Sequence, residues 1–66
     1  MAKYKHYKGG IYELLYIAEH SETGDKLVIY KNNENKIYAR PYDLFFETLK
    51  INGQEIERFK KISDTE

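Results

Sequence analysis

From Ile11 to His20 the chain is rich in β-branched and aromatic residues, the composition of an extended strand. Apolar side chains occupy both alternating sets: Leu15 and Ile17 on one, Tyr12, Leu14, Tyr16 and Ala18 on the other. A strand that is apolar on both sides is expected to bend and to serve two layers of a small barrel. Ser21-Glu22-Thr23-Gly24-Asp25 follows as turn chemistry. Lys26 to Lys31 predicts a second strand, with Leu27 and Ile29 alternating with Val28 and Tyr30. Asn32-Asn33-Glu34-Asn35 reads as a hairpin tip, because asparagine tolerates the left-handed region. Lys36 to Arg40 is the third strand.

Pro41 ends that strand and suits the first position of a helix, where its missing N–H costs nothing. Tyr42 to Glu47 fits one or two helical turns, with Tyr42, Phe45 and Leu49 at helical spacing. The alternative is a last strand that begins as early as Phe46. Asn52-Gly53 is the clearest local signal. A two-residue type I′ loop there sets Ile51 opposite Gln54, Lys50 opposite Glu55, Leu49 opposite Ile56 and Glu47 opposite Arg58. That register gives one apolar pair and two opposite-charge pairs, each contributing about 0.2–1 kcal/mol. A slip by one residue would lose the charge pairing and turn Leu49 away from Ile56.

The predicted fold is mainly β: a small SH3-like barrel of about five antiparallel strands in a meander, with one short helical turn. An OB-type barrel ranks second, because it needs longer strands and loops. Residues 1–61 are read as one domain and residues 62–66 as a polar C-terminal tail. Gly9-Gly10 is expected to form the turn that feeds the first long strand.

Composition narrows the classes. At 66 residues the chain is a single small domain that buries only about 60% of its unfolded surface. An apolar fraction of 41% with 15% aromatics is too rich for a disordered chain. The absence of cysteine excludes disulfide scaffolds and cysteine-type metal fingers. The core must therefore draw on Leu, Ile, Val, Phe and the bodies of seven tyrosines. No apolar run approaches the roughly 18 residues of a membrane span, and Met1 to His6 lacks the apolar stretch of a secretory signal. A cytoplasmic location without membrane association is expected.

Eleven basic and eleven acidic residues cancel, which argues against a protein that grips phosphate backbones through bulk charge. Locally the balance breaks. Residues 1–10 carry Lys3, Lys5 and Lys8 with no acid, whereas residues 13–25 carry Glu13, Glu19, Glu22 and Asp25 with no base. A mixed solvated surface and a fold with opposed basic and acidic faces are both compatible with this.

His6-Tyr7-Lys8-Gly9-Gly10, Tyr12-Glu13-Leu14-Leu15 with Ile17-Ala18, and His20-Ser21-Glu22-Thr23 form a recognisable series. With Leu27-Val28-Ile29-Tyr30, Arg40-Pro41, Leu44-Phe45-Phe46-Glu47 and Arg58-Phe59, the chain resembles a small, mainly bacterial family known only as a domain of unknown function. The resemblance spans roughly residues 4–60. It departs at Tyr16, where glycine is common, which weakens the expectation of a backbone bulge there. It also departs at Tyr38-Ala39, where a tryptophan often precedes the Arg-Pro pair. The resemblance implies a small stand-alone or appended β domain and supplies no catalytic residue, cofactor or partner.

Candidate chemistry is sparse. His6 and His20 are the two imidazoles; with Glu22, Asp25 or Glu47 they would make a two-His-one-carboxylate metal site, and so a small metal-dependent enzyme. The spacing matches no metal motif, and strand-end histidines that hydrogen-bond a loop are the simpler reading. Ser21 adjoins His20, but neighbours on an extended chain face opposite ways, so Ser21 and Thr23 read as turn caps. Glu22 with Glu47 is a conceivable acid/base pair, yet a barrel this small encloses little volume to desolvate them. Lys8-Gly9-Gly10 lacks the remainder of a phosphate loop.

Tyrosine content is the better signal. Tyr7, Tyr38 and Tyr42, with His6, Arg40 and Phe45, are candidates to line a shallow aromatic groove, against the alternative that tyrosines simply fill the core. The reading is a non-catalytic binding module with no cofactor or metal, recognising a protein or peptide through an aromatic and basic groove. The expected surface joins His6, Tyr7 and Lys8 to His20, Ser21, Glu22 and Thr23 and to Arg40 and Tyr42. The alternative is an RNA- or DNA-binding barrel, in which Lys3, Lys5, Lys8, Lys31, Lys36 and Arg40 track phosphates while tyrosines stack on bases.

Overall fold

In a computed structural model, which describes residues 2–64, the long apolar-rich segment forms the central strand of a five-stranded antiparallel sheet. The strands are β1 (Lys3–His6), β2 (Ile11–Glu19), β3 (Lys26–Lys31), β4 (Ile37–Pro41), β5 (Thr48–Ile51), β6 (Gln54–Glu57) and β7 (Phe59–Ser63), with the single-turn helix α1 (Tyr42–Phe45) after β4. The sheet order is β4-β3-β2-β1-β7, and β5 and β6 pair only with each other. The fold is mainly β with one short helical turn, as predicted. Hydrogen bonds do not close the sheet into a barrel.

β1 and β7 go beyond the predicted meander. Each contributes one buried residue, Tyr4 and Phe59, so neither carries an apolar pattern of its own. Their stability comes from pairing: Lys5 opposite Lys60 and His6 opposite Phe59 on one side, and Tyr4 opposite Tyr12 on the other. Because β7 runs to Ser63, Ile62 and Ser63 are strand rather than tail; Thr65 and Glu66 lie outside the described residues.

The mixed faces of β2 have a local cause. Leu14 pairs with Tyr30 but Tyr16 pairs with Ile29, so a bulge at Leu15 shifts the alternation by one residue. The bulge forms although tyrosine, not glycine, occupies position 16. No residue of β2 is fully buried, contrary to the expectation of a strand buried on both sides. Tyr12 and Leu14, before the bulge, pack against the core.

That core is aromatic. Tyr4, Val28, Tyr30, Phe45 and Phe59 are buried, with Tyr12, Leu14, Tyr38 and Tyr42 packed around them. Ile11, Ile17, Ile37 and Ile62 are instead exposed. Phe59 lies at the centre: Phe45 stacks on it at 4.1 Å, and the rings of Tyr12, Tyr30 and His6 meet it edge-on at 5.6, 5.5 and 4.8 Å. Edge-on and offset pairs of this kind add about 0.5–1.5 kcal/mol each beyond area burial.

The β5–β6 arm has the register read from its turn: Leu49 opposite Ile56, Lys50 opposite Glu55 and Ile51 opposite Gln54. Asn52 (φ 53°) and Gly53 (φ 78°) supply the two left-handed residues a type I′ loop requires. The arm begins at Thr48, not at Phe46. Arg58 fastens its base: its N–H donates to the Glu47 carbonyl at 2.9 Å, and its Nη2 donates to Glu47 Oε1 at 2.9 Å. The radius of gyration, 12.4 Å, exceeds the roughly 11 Å of a compact chain this long, in keeping with an arm that pairs with no other strand. No helix among the described residues is long and apolar enough to cross a membrane.

Candidate functional site

The two histidines perform the same local task at two turns. His6 ends β1, and its Nδ1 accepts the Lys8 N–H at 3.1 Å. His20 follows β2, and its Nδ1 accepts the N–H groups of Glu22 at 3.1 Å and Thr23 at 3.3 Å. Thr23 Oγ1 in turn accepts the Asp25 N–H at 3.2 Å. In each case a ring nitrogen replaces the side-chain oxygen that asparagine or aspartate would offer to the turn. That bond also fixes the tautomer, leaving the proton on Nε2.

These turns lie apart. β1 meets the Ile11 end of β2, whereas His20 follows Glu19 at the other end. Nine residues of strand at about 3.3 Å each separate them, so the two-histidine metal arrangement does not form. Among the described residues no group of three His, Asp or Glu side chains is placed to hold a metal. The expected single surface is divided by the same topology. His20, Ser21, Glu22 and Thr23 share their end of the sheet with Tyr42, over whose ring Lys26 Nζ sits at 5.1 Å; Gly24, Asp25, Lys26, Tyr42 and Asp43 border a shallow depression there.

At the other end are His6, Tyr7 and Lys8; Arg40 comes from β4, where it pairs with Val28, and shares with His6 the Phe59 ring as a neighbour. The His6 ring packs against Tyr7 at 4.7 Å and Phe59 at 4.8 Å. Arg40 Cζ lies 5.5 Å from the Phe59 ring centroid, and its Nε donates to the Tyr30 hydroxyl at 3.3 Å. β4 and β7 are the two edges of the sheet, so Arg40 reaches across the gap that hydrogen bonds leave open. Lys8 Nζ sits 5.7 Å from the Tyr7 ring centroid. Burial, then the positive charges of Arg40, Arg58 and Lys8, hold the His6 pKa below its ordinary value. Of the aromatic residues expected in a groove, Phe45 is instead wholly buried and Tyr38 stacks on Tyr30 at 5.5 Å.

Beside His6 runs a groove of about 390 Å³. Lys5, His6 and Tyr7 of β1 and its turn, with Lys60 and Ile62 of β7, line one side; Glu55, Ile56 and Glu57 of β6 line the other. The sequence points to His6 and Tyr7, and to Lys5 only as a phosphate contact of the nucleic-acid alternative; the other lining residues are not visible in it, because β1–β7 pairing brings positions more than fifty residues apart together.

The protein is thus a small curled β domain with a hairpin arm and an open groove at the arm's base. The chain belongs to the family described as protein of unknown function (DUF1653), which matches residues 2–61. No curated protein and no solved structure matches the chain.

Proposed function

We propose that the protein is a non-catalytic module that holds an extended segment of a protein partner in the groove between the β1–β7 edge and the β5–β6 arm. The observation that carries this reading is the groove itself. It has one basic wall, Lys5 and Lys60, one acidic wall, Glu55 and Glu57, and apolar or aromatic surface from Tyr7, Ile56 and Ile62. β7 is also an edge strand with β1 as its single neighbour, the arrangement that strand-addition partners use. An extended peptide presents alternate side chains on opposite sides, so acidic residues would meet the lysines and basic ones the glutamates. His6, Tyr7, Lys8 and Arg40 form the contact surface at the groove's mouth. His20, Ser21, Glu22, Thr23 and Tyr42 form a separate surface at the far end, outside this contact.

An amide-shift titration of labelled protein with short peptides of mixed charge tests the reading. Shifts are expected at residues 5–7, 55–57 and 60–62, with a salt dependence shallower than that of a chain tracking phosphates. Peptide shifts confined to other surfaces, or none, would reject it. Oligonucleotide binding whose log affinity falls with log salt by about 0.7 per neutralised phosphate would favour the nucleic-acid reading instead.

A further inference from the structure

We propose that Arg40 receives a carboxylate of the bound segment at the mouth of the curled sheet, with Lys8 as the second, more mobile cation. This rests on the peptide-binding reading and names the group recognised next to the groove.

Arg40 is held in place without an acid. Its Nε is committed to the Tyr30 hydroxyl, and its guanidinium lies by the Phe59 ring; Tyr30 and Phe59 are themselves buried. Among the described residues the ion pairs are Lys31–Glu13, Arg58–Glu47 and Lys61–Asp64, so neither Arg40 nor Lys8 has a carboxylate partner. In a chain of zero net charge an uncompensated, pre-oriented guanidinium is a local excess that an incoming anion would neutralise. Arg40 lies by Phe59, which the His6 ring meets at 4.8 Å, and Lys8 lies over Tyr7, whose ring packs on His6 at 4.7 Å; His6 and Tyr7 line the groove, so a segment lying in it passes beside both cations.

The geometry fits an anion with two oxygens in one plane. With Nε engaged, the two Nη groups remain as a planar fork whose spacing matches the two oxygens of a carboxylate. The same fork fits two oxygens of a phosphate, so the choice of a carboxylate rests on the occupant, because a peptide segment in the groove carries carboxylates and no phosphate. A carboxylate can come from a peptide's C-terminus or from an Asp or Glu side chain.

The test follows the Arg40 Nε–H and His6 ring signals of the full chain during addition of sodium acetate, with sodium phosphate and sodium chloride at matched ionic strength. Acetate should give saturable shifts at Arg40, His6 and residues 7–8, and Arg40→Lys, which keeps the charge but not the fork, should weaken binding by about fivefold, the worth of one hydrogen bond. Lys8→Gln, at an exposed position, should weaken it as well. Equal binding by Arg40→Lys, tighter binding of phosphate, or a linear response shared with chloride would overturn the proposal. Peptides with a free C-terminus, an amidated C-terminus, or an internal Asp or Glu then distinguish the two carboxylate sources. Acetate binding at Arg40 without peptide shifts at Lys5, Ile56 and Ile62 would reject the groove while leaving the carboxylate site standing; the reverse pattern would reject this site alone.

Discussion

Phe45 stacks on Phe59 with ring centroids 4.1 Å apart and planes 4° from parallel, joining the one helical turn to the strand at the sheet's edge. Phe45 is fully buried, and truncating a buried phenylalanine costs about 3–5 kcal/mol. A domain of this size has about 3–10 kcal/mol in total. Phe45→Ala should therefore lose about a third or more of that stability, with a steep fall in urea midpoint followed by circular dichroism, whereas Phe45→Leu should show a smaller fall. A cooperative, near-native melt for Phe45→Ala would show that the aromatic stack is not the keystone of the core.

The Arg58–Glu47 contact is a 2.9 Å charge-assisted hydrogen bond between side chains that are 23% and 41% exposed, so solvent screening limits its value. Glu47→Gln should cost about 0.5–1 kcal/mol. Arg58→Ala should cost more, because it also removes the aliphatic stem that covers the base of the arm. A double-mutant cycle in urea gives the pair term directly, and a coupling indistinguishable from zero would remove the contact from the account of how the arm is anchored.

Gly53 sits at φ 78° with open space around its Cα, so a side chain there meets no neighbour but is forced into the left-handed region. Gly53→Ala should cost about 1 kcal/mol. Because β5 and β6 pair only with each other, the loss should fall on the arm. Amide exchange of residues 49–51 and 54–56 should quicken while Val28 and Tyr30 keep their protection. Gly10→Ala makes a contrast, since its Cβ would come within 3.2 Å of the Tyr12 ring and should destabilise the whole sheet.

The pH dependence of stability follows from His6, whose pKa burial and the neighbouring cations hold below the ordinary value of 6.5. In the unfolded chain His6 takes up its proton near that value; in the folded chain it does so only at lower pH. The unfolded state thus binds more protons in this window. The contribution of His6 is complete above about pH 6.5 and is lost as pH falls toward the folded pKa. Urea midpoints between pH 5 and pH 8 should decline on the acid side, and the decline should shrink in His6→Gln. An unchanged slope in that variant would assign the effect to other groups.

How much of this was legible in the sequence depended on how local the cause was. The register of β5 and β6 is set by Asn52-Gly53, and the third hairpin by Asn32, whose Oδ1 accepts the N–H groups of Glu34 and Lys36 at 2.9 Å each; both were readable. β1 and β7 were not, because Lys3-Tyr4-Lys5-His6 and Phe59-Lys60-Lys61-Ile62-Ser63 each place a single residue in the core and are held by one another. The groove depends on that same long-range pairing, so the sequence points to His6 and Tyr7, to Lys5 only as a phosphate contact, and to none of the residues from β6 and β7. The mixed faces of β2 suggested two layers when the cause was a bulge at Leu15.

The matching roles of His6 and His20 give a last prediction. If the ring nitrogens serve the turns as acceptors, asparagine should replace them, since its Oδ1 reaches the same N–H groups two residues on. Alanine should not. His20→Ala strands two amides that now meet Nδ1 at 3.1 and 3.3 Å, with a cost of about 1 kcal/mol because the turn is exposed and water takes part of the load. His20→Asn should recover most of that loss in a thermal melt, and the Glu22 and Thr23 amides should keep the slow exchange they lose in His20→Ala. A chemical role for the ring would produce the opposite ordering in a binding or activity measurement, with asparagine as defective as alanine despite restored stability. Equal stability for all three proteins would mean that neither bond matters in solution.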